Sequence, residues 1–224
     1  GMGAIALLTG AFLVRPPSQS QVTPAPTPIA QPSSTPTAKA IDNILGHLPY
    51  REAPPSELKA IAPDGRLRLR KAAADKFVQM QAAARASGII LKPISAFRSV
   101  TEQNDLFFKV KEQRAQVAAK RAEVSAPPGY SEHHTGYAID LGDGSTPATD
   151  LSPNFEKTAA FRWLQENAAK YSFELSFPRN NPQGVSYEPW HWRFVGDRQS
   201  LETFYRARNL QQPLKIQTST NNEP

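Results

Sequence analysis

Apolar and polar positions alternate along this chain in ways that predict several short elements. Over 71–85, Ala74, Phe77, Val78 and Gln81 fall at helical spacing, and Gly88 follows as a stop. The β-branched run 89–94 predicts a buried strand. Ser99, with Glu102 three residues on, has the capping-box pattern of a helix start; that helix carries Gln103, Leu106, Phe107 and Val110 and extends toward Ala122. After Pro127-Pro128-Gly129, the alternation of Tyr137, Ile139 and Leu141 with small residues predicts a strand over 136–142. A helix over 155–170 would put Phe161, Leu164 and Ala168 on one face. Strands over 173–177 and 190–195 and a helix over 197–208 complete the pattern. Interleaved helices and short strands predict an α+β fold: one domain, a small antiparallel central sheet and flanking helices.

The ends of the chain are patterned differently. Residues 4–14 form an uncharged, largely apolar run, shorter than the ~20 residues that cross a bilayer. It fits the apolar region of a signal peptide or the remnant of an anchor. Residues 16–39 hold seven of the 21 prolines among Ser, Thr, Gln and Ala, the composition of an extended, semi-rigid spacer. The expected organisation is therefore a signal or anchor remnant at 1–15, a linker at 16–40, a folded domain at 41–212 and a polar tail at 213–224.

Composition narrows the chemistry. With no cysteine, thiolate metal sites and disulfides are excluded, so any metal is held by His and carboxylate. The net charge is +6, but beyond residue 40 there are 24 basic and 20 acidic groups without a Lys/Arg block, which argues against a nucleic-acid partner.

Three of the four histidines sit in Ser131-Glu132-His133-His134-Thr135-Gly136-Tyr137-Ala138-Ile139-Asp140 and Glu188-Pro189-Trp190-His191-Trp192-Arg193. Two imidazoles, one ligating carboxylate and a second carboxylate left over make the inventory of a catalytic zinc site with an open position. His133 and Asp140 are seven apart and would lie on opposite faces of one continuous strand, so His133 must precede a turn, which Gly136 permits. Pro189 likewise puts Glu188 in a bend before the strand that begins at His191, near the metal without ligating it.

These segments resemble the SxHxxGxAxD and ExxHxR signatures of VanY-type zinc D,D-carboxypeptidases. Ser131, His133, Gly136, Ala138, Asp140, Glu188, His191 and Arg193 all match, over a resemblance that spans roughly residues 45–210. Ser95-Ala96-Phe97-Arg98-Ser99 followed by Gln103 is similar to the family's SGYRS…Q segment, with Ala96 and Phe97 in place of Gly and Tyr. The resemblance implies that His133, Asp140 and His191 bind Zn2+, that Glu188 is the base and then the acid, and that Arg98 faces the oxyanion. It further implies that Ser131 and Gln103 contact the terminal D-Ala of a peptidoglycan stem peptide. The expected protein is an envelope enzyme acting as a monomer, either exported or attached to the membrane through its N-terminal segment. L,D-carboxypeptidase and D,D-dipeptidase activities share these motifs; a wall-binding module without chemistry would have lost a ligand or the base. Of the remaining residues, His134 is expected to point away from the metal and His47 to be structural or exposed. Arg193 is expected to pair with a carboxylate. Asp143 would serve a turn or orient a ligand, and Trp190 and Trp192 would pack the core or line a pocket.

Overall fold

The computed structural model describes residues 43–113 and 125–209; the N-terminal run, the spacer, the tail and any extension of the second helix to Ala122 lie outside them. Among the described residues, no helix is long and apolar enough to cross a membrane. A two-stranded ribbon pairs β1 (Leu58–Ala60) with β2 (Arg68–Arg70). The main sheet contains β3 (Leu91–Ser95), β4 (Ala138–Asp143), β5 (Phe173–Leu175) and β6 (His191–Phe194), antiparallel in the order β3-β4-β6-β5. The helices are α1 (Lys71–Ala86), α2 (Val100–Gln113), α3 (Ala159–Asn167) and α4 (Arg198–Asn209). This is the expected α+β class, with the ribbon as an addition.

Period-two alternation splits β4 and β6 into two faces. Ile139 and Leu141 of β4 join Trp192 and Phe194 of β6 and Phe173 of β5 in the core. Asp140 is registered with His191, and Ala138 with Arg193, on the other face. All six residues of β4 are nevertheless buried, because further structure covers that second face. On β3, Pro93 is registered with Leu141 but Ser95 with Asp140, so one extra residue is accommodated. Such a bulge re-aims a side chain, here bringing Ser95 opposite Asp140.

The core is closed by Phe77 and Met80 of α1, Phe161 and Leu164 of α3, Phe204 of α4 and Phe155. Burying each such side chain contributes about 1.5–3 kcal/mol. Val78 of α1 is exposed instead, because the buried stripe runs through Ala73, Ala74, Phe77, Met80 and Ala84. The helix expected over 155–170 is broken into a 3-10 turn (Pro153–Lys157), α3 and a second 3-10 turn (Ala168–Tyr171). Thr158 restarts it by accepting from the Phe161 amide at 3.2 Å. The expected capping box at α2 is formed reciprocally: the Ser99 amide donates to Glu102 Oε2 at 2.7 Å, and the Glu102 amide to Ser99 Oγ at 3.1 Å.

Candidate active site

Local backbone chemistry sets the first imidazole. Ser131 caps a 3-10 turn, Glu132–Thr135, by accepting from the His133 amide, and Gly136 ends that turn in the left-handed region at φ 70°. The turn expected between His133 and the strand is therefore present, and it folds His133 back over Asp140. Neighbouring elements clamp it. Arg70 of the ribbon donates from Nε to the Thr135 carbonyl at 2.7 Å, the Arg70 amide bonds the Gly136 carbonyl, and the Arg98 amide bonds the His133 carbonyl.

The opposite half is built as the Pro189 argument required. Glu188 precedes the turn at 189–190, the His191 amide donates back to the Glu188 carbonyl at 3.1 Å, and His191 opens β6. Phe177 stacks on the His191 ring, with centroids 5.1 Å apart.

His133, Asp140 and His191 converge so that their ligand atoms lie within 4.8 Å of one another, all buried. His133 Nδ1–H donates to the Ala96 carbonyl at 2.7 Å, which turns Nε2 toward Asp140 Oδ2, 3.2 Å away. His191 is used from its other nitrogen: Nδ1 lies 2.9 Å from Asp140 Oδ1 while Nε2 lies 3.0 Å from Glu132 Oε2. Two imidazole nitrogens and one carboxylate, without thiolate, fit zinc with a position left for water or substrate. Glu188 Oε2 stands 4.0 Å from His191 Nδ1, beside the three and not among them.

Electrostatics separates the carboxylates. Burial opposes ionisation of Asp140, but the His133 and His191 rings overcome it and hold its pKa far below the usual range. Glu132 is also buried, yet Arg193 and His191 pull it down to about 2. Burial drives Glu188 up to about 7; Asp140 and Glu132 add to the rise, and His191 opposes it. Burial would keep His191 neutral, but the hydrogen bonds its ring donates to Asp140 and Glu132 raise it to about 10. Burial lowers the pKa of Arg98, against the pull of Asp140 and the other acids.

The three candidate ligands lie in a cleft of about 620 Å³ that Arg98, Gln103, Ser131 and Glu188 also line. Arg98 donates from Nη2 to Ser95 Oγ at 2.7 Å and from Nη1 to Gln103 Oε1 at 2.6 Å. Gln103 Nε2 donates in turn to the Ala126 carbonyl at 2.6 Å. Gln103 thus borders the cleft with both ends of its amide engaged by the protein, one of them holding Arg98.

His134 does point away: Nδ1–H donates to the Arg98 carbonyl at 2.7 Å and Nε2 accepts the Gly129 amide at 3.1 Å. Asp143 accepts from the Ser145 and Ala160 amides and serves turn and helix start. Trp192 is core; half-buried Trp190 lines the cleft. His47 is buried in the cleft wall, edge-on to Phe177. Glu132 is the residue that motif reading passed over. The available signal was Arg193, two residues after His191 and so on the same strand face, which needs a buried acid. Arg193 finds Glu132 Oε1 at 2.8 Å and Glu174 Oε1 at 2.9 Å.

Two imidazoles and a carboxylate at the foot of a cleft, with an unligated carboxylate and a guanidinium beside them, form the arrangement of a mononuclear metal hydrolase. The chain belongs to the VanY family, D-alanyl-D-alanine carboxypeptidase, which matches residues 66–197. It is 38% identical over 132 residues to YodJ of Bacillus subtilis (strain 168), a proposed carboxypeptidase, covering 58% of this chain and 47% of that protein. The structure of the LdcB LD-carboxypeptidase matches with a TM-score of 0.57 at 33% identity, covering 73% of this chain and 77% of that one. VanYB in complex with D-alanine-D-alanine matches with a TM-score of 0.54 at 26% identity, covering 71% and 88%. The chain spans less than two thirds of the length of the curated relatives it matches, from 39% to 64%.

Proposed function

We propose that this chain is a zinc-dependent carboxypeptidase that removes the terminal D-Ala from peptidoglycan stem peptides in the cell envelope. The convergence of His133, Asp140 and His191 beside Glu188, in a cleft that Arg98 also lines, carries the reading. A zinc ion held by the three would lower the pKa of a bound water to about 7 and polarise the scissile carbonyl. Glu188 accepts the proton of the attacking water and delivers it to the amine as the C–N bond breaks. Its burial-raised pKa suits a group that must both take and give a proton. Arg98, braced by Ser95 and Gln103, keeps further N–H donors for the oxyanion of the tetrahedral intermediate. Ser131 contacts the terminal D-Ala, while Gln103 acts chiefly through Arg98. The apolar run at 4–14 and the spacer at 16–39 would hold a monomeric domain outside the membrane.

L,D-carboxypeptidase action on the tetrapeptide is the second reading, favoured by the higher identity to the LdcB LD-carboxypeptidase than to VanYB. The test is D-Ala release by the zinc-loaded protein from stem peptides ending in D-Ala-D-Ala and in a single D-Ala. Release from the first alone supports the main reading, and release from the second alone the alternative. Liberation of intact D-Ala-D-Ala would indicate a dipeptidase, and no release from either removes the carboxypeptidase reading.

A further inference from the structure

We infer that Glu132 is a positioning residue that fixes the tautomer and orientation of His191, so that Nδ1 faces the metal position. The inference rests on the zinc reading above and concerns how this chain prepares one ligand. Glu132 is 3% exposed, and its two oxygens are divided: Oε1 takes the Arg193 Nη1–H at 2.8 Å and Oε2 faces His191 Nε2 at 3.0 Å. Arg193 can only donate, and an ionised carboxylate can only accept. The proton between Glu132 and His191 therefore belongs to Nε2, and Nδ1 is the nitrogen that gives up its proton and offers a lone pair to the metal. His133 is fixed the opposite way, with Nδ1 on the Ala96 carbonyl and Nε2 toward Asp140. A backbone carbonyl and a buried carboxylate thus do the same work on the two rings, and such partners govern ligand orientation and metal affinity.

Arg193 makes the arrangement directional. In Glu132→Gln, the amide oxygen must still face Arg193, so its NH2 faces His191 Nε2. That nitrogen must then accept, the proton moves to Nδ1, and the metal-facing lone pair is lost. The substitution keeps the volume and a hydrogen bond to Arg193, so it separates tautomer control from packing.

The experiment measures zinc affinity by chelator competition and the His191 tautomer by long-range 1H–15N correlation, in wild type and Glu132→Gln. Wild type should take up one zinc, with Nε2 protonated and Nδ1 metal-bound. The variant should keep its circular dichroism spectrum, bind zinc about 10–100-fold more weakly and lose that tautomer signature. Zinc bound through Nε2 in wild type, or wild-type affinity in a folded variant, overturns the inference. If the variant does not fold, the wild-type tautomer alone decides. A wild-type protein that takes up no zinc removes the metallohydrolase reading and this inference with it; zinc taken up through Nε2 removes this inference only.

Discussion

Two glutamates near one histidine, Glu132 buried and Glu188 half-buried, have opposite fates, and the difference supports the separate roles proposed for them. Glu132 is ion-paired with Arg193 and hydrogen-bonded to His191, and its pKa falls to about 2. Glu188 lies 4.0 Å from His191 Nδ1, and burial lifts its pKa to about 7. Environments that push like groups apart suit one to be a fixed charge and the other to carry a proton, the role proposed for Glu188. Replacing Glu188 by Gln should therefore leave zinc content unchanged and lower turnover by about 10²–10⁴-fold, the range for loss of a general base. Metal analysis beside steady-state kinetics checks this; loss of zinc in that variant would mean Glu188 is a ligand.

At the scale of elements, the site depends on the turn that returns His133 over Asp140. Gly136 closes it at φ 70°, and a Cβ there would lie 3.0 Å from Leu58 Cδ2 and 3.1 Å from the Arg70 Cγ of the ribbon. Left-handed backbone costs a residue with a Cβ about 1–2 kcal/mol, and the close contacts add to that. Gly136→Ala should lower the unfolding free energy, measured by denaturant titration, by at least this amount and weaken zinc binding, because His133 moves with the turn. Unchanged stability and affinity would show that the turn does not set His133. The turn at Gly136 and the bend at Pro189 were legible because odd residue spacing conflicts with strand alternation, and Gly and Pro resolve the conflict. The exposure of Val78 was not legible, since Ala73, Ala74 and Met80 allow a stripe rotated away from it. The ribbon, with strands of three residues each, is too short to carry a period. Glu132 stayed hidden because a Glu in a polar loop looks solvated until Arg193, 61 residues later, buries it.

At the scale of the molecule, the described residues place a packed aromatic core on one face of a four-stranded sheet and the cleft with its candidate metal donors on the other. β4 lies between them, contributing Ile139 and Leu141 to the core and Asp140 to the candidate metal site. Fold and site are therefore coupled through one strand, and family membership rests on residues 66–197, which contain all three proposed ligands, Glu188 and Arg98. The central claim, zinc-dependent hydrolysis at this cluster, is tested most directly by D-Ala release from a pentapeptide stem. The purified protein is assayed as loaded with zinc, after chelation, and after zinc is restored. We predict release by the loaded protein, its loss on chelation and its recovery with one equivalent of zinc. Release that survives complete removal of the metal would contradict the account.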